Sequence, residues 1–339
     1  MVMNTSRSSE TIRKTPFHFD NYLLHLPQHK KSFDLSFGEW FIGFTEGDGN
    51  FQVQLLDTTT DQKSQEVSFG RVTRYRLYFT INQKDPKVLY YIREHLGFGH
   101  ITPQFYINKN NVRIDYFRYS VSDQENIDRL IFLFNGNIIL NKVYARFRAF
   151  LQARNTRDGG DQIQEMPQKN QFTFGESAWI SGFIDAEGCF YIRKQTEARY
   201  SLGFRIRCLF ILDQKGERWL FEKIRDEFMG SGSITLRKRT AESNEAGHTE
   251  SQDPSGTFRY TCTDLRILKD ILFPYLKRYP LRSAKSLDWV RFYRMIFYMK
   301  NRKTLPWEGK VLERVLNIVK RSHASEDQAD DFTDCTRNK

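Results

Sequence analysis

Two acids in this chain, Asp48 and Glu187, stand in near-identical surroundings 139 residues apart. Each closes an apolar run and is followed by glycine. The runs are Trp40-Phe41-Ile42-Gly43-Phe44-Thr45-Glu46-Gly47-Asp48-Gly49 and Trp179-Ile180-Ser181-Gly182-Phe183-Ile184-Asp185-Ala186-Glu187-Gly188. Both read as helices stopped by their last glycine, which puts each carboxylate at a helix C-terminus. The helix macrodipole disfavours a negative charge there by a few tenths to ~1 kcal/mol. Small residues at i and i+4, Gly43/Gly47 and Gly182/Ala186, bare one strip of backbone on each helix. Two such helices can therefore pack side by side and bring their acids together. A divalent cation reverses both the dipole penalty and the mutual repulsion. The pattern thus points to hard-cation chemistry at a helix crossing. One such helix alone would more often be a capped core helix; the duplication is what speaks for a function. Glu46 and Asp185 lie two residues earlier, about 200° round the helix. They are expected to point elsewhere and to be structural.

The elements that position these acids repeat as well. After the first motif, Phe51, Val53 and Leu55 alternate with Gln52 and Gln54, a strand with one polar face. Arg74, Arg76, Tyr78, Thr80 and Asn82 then alternate with Tyr75, Leu77, Phe79 and Ile81. A helix is predicted from Pro86 to Leu96, strands near His100–Ile107 and Val112–Val121, and helices at Ser122–Phe134 and Ile138–Arg154. Residues 155–173 read as a linker. The second half repeats the order with strands around Phe190–Arg193 and Phe204–Phe210, a helix to Met229, and a strand face of Ser233, Thr235, Arg237 and Arg239. A last strand at Thr257–Thr263 and helices at Asp264–Leu276, Ser283–Lys300 and up to Lys320 complete it. The boundaries predicted are an arm at 1–34, partly disordered, halves at 35–154 and 174–320, the linker between them, and a disordered acidic tail at 321–339.

Composition narrows the partner. The 339 residues carry a formal charge of +11 and a pI near 9.4, which suits a polyanion. The polar strand faces bear Gln52, Gln54, Arg74, Arg76, Tyr78, Arg193, Arg205, Arg207, Thr235, Arg237, Arg239 and Arg259, with acids nearly absent. Arginine and glutamine on a β-ribbon suit the major groove of double-stranded DNA, where they pair with guanine and adenine. No apolar run reaches the ~18–20 residues of a membrane span. The four cysteines show no CxxC spacing and the seven histidines no HExxH, so zinc and disulfide frameworks are not indicated.

The paired motifs, with the repeated αββαββα order, resemble the signature of the LAGLIDADG homing endonucleases in their single-chain form. The resemblance covers roughly residues 35–300, with departures at Phe41-Ile42, Ile180-Ser181 and Thr45-Glu46. It implies an α+β fold of two pseudo-symmetric domains, each with a curved four-stranded antiparallel sheet, together forming a DNA-binding saddle. It further implies that Asp48 and Glu187 hold Mg²⁺, with the carbonyls of Gly47 and Ala186 as additional ligands. Mn²⁺ is expected to substitute, and Ca²⁺ to support binding without cleavage. Two matched positions fit the family's remaining machinery. Gln83 and Gln214, in Asn82-Gln83-Lys84-Asp85 and Asp213-Gln214-Lys215-Gly216, would hold water. Lys142 and Lys285, opening the late helices, would stabilise charge near the scissile phosphate. The implied activity is a monomeric, intron-encoded nuclease of a mitochondrion or chloroplast. It would cut both strands of a long asymmetric site across a narrowed minor groove. An intron RNA maturase and a non-catalytic DNA-binding regulator are the alternatives on the same fold.

Overall fold

The computed structural model describes residues 15–56, 74–108, 110–156, 161–169, 172–237 and 256–326. Helix α1 (Asp20–Leu24) precedes α2 (Leu35–Asp48), whose N-cap Asp34 accepts a hydrogen bond from Ser36 N. α2 runs without a loop into β1 (Gly49–Leu56). Then come β2 (Arg74–Gln83), α3 (Lys87–Leu96), β3 (His100–Ile107), β4 (Arg113–Val121), α4 (Gln124–Phe134) and α5 (Asn141–Asn155). After a 3₁₀ turn at Phe174–Glu176, α6 (Trp179–Glu187) runs directly into β5 (Gly188–Thr196). β6 (Phe204–Lys215) is followed by α7 (Arg218–Lys223), which continues as a π-helix over Ile224–Met229. β7 (Ser233–Leu236) and β8 (Thr257–Cys262) follow. α8 (Leu265–Ile267) leads through a second π segment at Leu268–Leu272 to α9 (Phe273–Arg278). α10 (Lys285–Lys300) and α11 (Gly309–Glu326) complete the described chain.

The fold is α+β: two four-stranded antiparallel sheets of identical order, β1-β2-β4-β3 and β5-β6-β8-β7. Each sheet turns its apolar side to the helices. In the first, Phe51 and Phe79 meet Phe134, and Phe51 also meets Phe147 and Phe150 on α5. In the second, Phe190 meets Trp289 and Phe292 on α10.

The two motif helices, α2 and α6, cross at the centre. A Cβ added to Gly43 would lie 2.0 Å from the Trp179 carbonyl oxygen, and one on Gly182 only 1.9 Å from that of Trp40. The small-residue strip is therefore used by both helices, backbone against backbone. The glycines after the acids act differently from expectation. Gly49 and Gly188 have φ of −81° and −77°, so neither is a left-handed stop. They are needed for space, since a Cβ at either would sit 2.7 Å from the carbonyl oxygen four residues back.

Two further expectations change. From residue 15 the predicted arm belongs to the core: Phe17, Phe19 and Tyr22 are buried, and Tyr22 packs edge-on against Phe33. Asn137 pins this segment, accepting from His18 N at 2.8 Å and donating to His18 O at 2.7 Å. The aromatic spacing outweighs the polar composition. At the other end α11 continues past residue 320, because Val315, Val319 and Ser322 form one buried stripe at helical spacing. The linker is likewise held down in its described part. Asn135 accepts from Met166 N and donates to Gln164 O, and Tyr144 donates to Glu165.

Gly43→Ala and Gly182→Ala should each cost ~3 kcal/mol or more, because the obstructing atoms are backbone and cannot turn aside. Gly175→Ala, whose added Cβ meets nothing nearer than 3.7 Å, serves as the control in thermal melts.

Candidate functional site

Asp48 ends α2 and Glu187 ends α6, so the crossing of the helices sets the two acids side by side. The contact is tight: an added Cβ on Gly47 would lie 2.3 Å from Ala186 Cβ and 3.0 Å from Glu187 Cγ. Gln83 continues the helix-facing alternation of Leu77, Phe79 and Ile81 to the end of β2. There its Nε2 donates to Asp48 Oδ2 at 2.6 Å. Burial pushes the Asp48 carboxyl up to about 6, against the Lys285 ammonium and the Gln83 hydrogen bond, which lower it. Lys285 opens α10, in the other half of the chain. Its Nζ donates to Ala186 O at 2.6 Å. Asp48, Gln83, Ala186 and Lys285 thus form one group.

The second acid has a parallel group. Lys142, at the start of α5 in the first half, lies within electrostatic reach of Glu187. Burial, with Arg146 and Lys215 beside it, pulls the Lys142 pKa down against Glu217 and Glu187. Each acid is therefore served by a lysine from the opposite half. Gln214 differs from Gln83: its Oε1 accepts from Lys215 N at 3.0 Å.

Glu46 and Asp185 hold this arrangement in place. Glu46 Oε1 accepts from Ile139 N and Leu140 N, capping the entrance to α5, and its Oε2 accepts from Trp179 Nε1 of α6. Asp185 does the same for α10. It accepts from Arg282 N, Ser283 N and Ser283 Oγ, and also from Trp40 Nε1 of α2. Each carboxylate binds the late helix of its own half and the tryptophan of the other. Burial pushes Glu46 up to about 8 and raises Asp185, against the hydrogen bonds each carboxylate accepts, while the nearby Glu217 carboxylate adds to the rise at Glu46.

Sequence reasoning missed two members. Glu217, buried after β6, accepts from Lys142 N at 3.1 Å and from Trp219 Nε1, so the second half caps a first-half helix. The first half has Pro86 after Gln83-Lys84-Asp85. Arg146 carries a buried Nε without a hydrogen-bond partner. Its i+4 spacing from Lys142 is the only signal the sequence offered.

The residues fit a hard divalent cation. Two carboxylates converge with peptide oxygens, and the Lys285 ammonium on Ala186 O shows that this helix end attracts positive charge. Among the described residues no three Asp, Glu, His or Cys side chains form a cage. Mg²⁺ suits that shortage, since it keeps waters and takes substrate phosphate oxygens.

On the sheets, Gln52 lies opposite Tyr78 and Gln54 opposite Arg76, forming one outer face; Arg74 opens β2 opposite Leu56. In the second sheet Arg193 faces Arg207, a like-charge pair that a polyanion relieves. Arg205 is held by Gln195 and Glu197. Thr235 lies opposite Arg259, and Arg237 continues beyond β7. Arg259 and Arg237 both contact Asp213, an acid not foreseen on this face. Arg239 lies outside the described residues.

Two like halves, each giving one acid to a shared helix crossing and one sheet to a common outer surface, define a duplicated single-chain fold. The sequence model of the LAGLIDADG endonuclease matches both halves, at residues 41–154 and 180–296, and the chain belongs to that family. Probable intron-encoded endonuclease 4 of Neurospora crassa is 28% identical over 271 residues, 77% of this chain and 41% of that protein. The intron-encoded RNA maturase bI4 of Saccharomyces cerevisiae is 25% identical over 295 residues, 82% of this chain and 37% of that protein. The chain spans about half the length, or less, of these curated relatives. The structure of I-SmaMI bound to cleaved DNA shares the fold, with a TM-score of 0.60 and 15% identity over 86% of this chain and 97% of that one. I-LtrWI bound to target DNA gives 0.58 and 16%, over 85% and 98%.

Trp179→Phe should destabilise the protein by about 1–3 kcal/mol, since Glu46 Oε2 loses its indole donor inside the core. Trp40→Phe should cost less, because Asp185 Oδ2 keeps Arg282 N at 2.6 Å. Denaturant melts of the two variants test the order.

Proposed function

We propose that the protein is a homing endonuclease that makes a double-strand break in a long asymmetric DNA site, with divalent metal assistance. The observation that carries this reading is the meeting of the two acid-bearing helix ends at the α2–α6 crossing, with Gln83 Nε2 on Asp48 and Lys285 Nζ on Ala186 O beside them. Two acids on a pseudo-dyad supply one cut per strand, and unlike sheet faces call for an asymmetric site. The halves are placed at 35–154 and 174–320, with 155–173 between them. The DNA-bound states of I-SmaMI and I-LtrWI support DNA as the partner of a single chain.

Asp48 and Glu187 would hold the cations, with the carbonyls of Gly47 and Ala186 as further donors. The ion's contribution when bound is to acidify water and to neutralise phosphate charge; Mg²⁺ is the physiological choice, with Mn²⁺ active and Ca²⁺ supporting binding only. Gln83 holds the Asp48 carboxylate through its amide nitrogen and leaves its carbonyl oxygen to accept a hydrogen bond from a water, which it orients. Gln214 has the equivalent place in the second half. Lys285 and Lys142 offset charge that grows on the phosphoryl oxygens and the departing oxygen. Water forms the new P–O bond as the bond to the leaving oxygen breaks; the attacking water gives up a proton to solvent water, and the leaving oxygen takes one from solvent water. Gln52, Gln54, Arg74, Arg76, Tyr78, Arg193, Arg205, Arg207, Thr235, Arg237, Arg239 and Arg259 contact the duplex.

A second reading, an intron RNA maturase, is favoured by the bI4 relative, which aligns with most of this chain. Relatives named for Cox1 and an ND4 intron support an organelle location, mitochondrial rather than chloroplast.

Selection from a randomised duplex library with Mg²⁺, sequencing the cut ends, tests the nuclease. Wild type should yield one long asymmetric site, and Asp48→Asn/Glu187→Gln should bind it uncut. Lys142→Met or Lys285→Met should slow cleavage about 10²–10³-fold with little change in Kd. Absence of any cut, with tight binding to structured intron RNA, would favour the maturase instead. Without DNA, Ca²⁺ at a hundredfold excess over Kd should stabilise wild type by up to ~2.7 kcal/mol, seen as a rise in Tm, and leave the double variant unchanged.

A further inference from the structure

Asp213 sits on the outer face of the second sheet, one residue before Gln214. A carboxylate on a surface that meets phosphates repels them, so its use lies in what it holds. Arg259 is directly opposite in register. It donates Nε to Asp213 Oδ1 and Nη2 to Oδ2, both at 2.7 Å. Arg237 adds Nη1 to Oδ2 at 3.2 Å. The side-on grip fixes the Arg259 guanidinium and leaves its outer Nη1–Nη2 edge for another planar acceptor. The pair is reachable: the side chains of Arg259 and Asp213 are 33% and 24% exposed.

The first half handles the same place differently. Asn82, one residue before Gln83, lies opposite Arg118. Arg118 donates Nε to Asn82 Oδ1 at 3.0 Å and Nη2 to Tyr116 Oη at 3.2 Å. A neutral amide and a phenol hold this arginine, whose full charge remains available. At matching positions beside the two candidate water-holding glutamines, one half carries a carboxylate-locked arginine and the other a cation.

We infer that Asp213 is a specificity-determining positioning residue that fixes Arg259 as a reader of guanine close to the cut, on the side read by the second half. The inference rests on the DNA-cleaving function proposed above. Guanine O6 and N7 match the end-on fork that the grip leaves open. A fork already held loses little rotamer freedom on binding. The single Asp213 carboxylate also offsets one of the two charges of Arg259 and Arg237, charge that would otherwise go to phosphates and bind every sequence alike. Arg118, bearing its whole charge, contributes more to affinity than to discrimination.

The test compares wild type, Asp213→Asn and Asn82→Asp on duplexes carrying every single base-pair change in the selected site, at several salt concentrations. Asp213→Asn should lose about tenfold of its preference for guanine at one inner position, with other positions unchanged. Its log K against log salt should steepen by about 1 unit as the freed charge turns to phosphate. Asn82→Asp should sharpen guanine preference at the matching inner position of the first half. An unchanged base preference in Asp213→Asn, with wild type binding its site specifically, overturns this inference alone. So does a uniform loss at all positions that tracks a fall in Tm. No specific DNA binding by wild type would overturn the nuclease reading with it.

Discussion

The structure depends on a contact in which no side chain takes part. At the centre, Gly43 and Gly182 let the peptide groups of two helices touch, each with the carbonyl of the other half's tryptophan in the space a Cβ would need. That approach brings the ends of α2 and α6 level, and with them Asp48 and Glu187. It also brings Trp40 and Trp179 within reach of Asp185 and Glu46, which in turn hold the entrances of α10 and α5. Lys285 and Lys142 stand at those entrances. The geometry of the candidate site is thus inherited, step by step, from the closeness of two backbones.

The electrostatics follow the same hierarchy. Two buried acids, Glu46 and Asp185, spend their hydrogen-bonding capacity inside the protein and lock elements together. Two others, Asp48 and Glu187, lie two residues further on, where the helices end and a carboxylate is disfavoured. The protein supplies partial relief from Gln83 and from lysines of the opposite half. What is left over is an appetite for positive charge, which a small oxygen-loving ion would meet without a dedicated cage.

Much of this was legible in the sequence because it was written twice. The duplicated Gly-xxx-Gly and Gly-xxx-Ala helices, the acids and the strand alternation all rest on local periodicity, and periodicity survives without a structure. Glu46 and Asp185 could be set aside from the acids by helical angle alone. The crossed service of the lysines could not be read, since it depends on how the halves dock. Nor could the reach of Glu217 to Lys142, which spans 75 residues of sequence separation. The packing of the arm from residue 15 was not legible because Phe17, Phe19 and Tyr22 have no regular period; Phe19 and Tyr22 are buried against Phe33, and Phe17 against Phe19 and Phe172. The glycines after the acids end their helices as the sequence suggests, and the structure adds that they do so for want of space rather than through a left-handed turn.

α2 passes into β1, and α6 into β5, with no intervening residue. Each strand that faces outward toward a ligand is covalently the continuation of the helix that ends in an acid, and there is no hinge to absorb movement between them. A sheet that tilts to follow an ill-fitting duplex must therefore turn the adjoining carboxylate with it. For the nuclease proposed above, reading and cutting would share one stiff lever, and an imperfect fit would be felt at the reacting phosphate as misalignment. Fidelity in such a molecule needs no separate checkpoint, because it is carried by the absence of a loop.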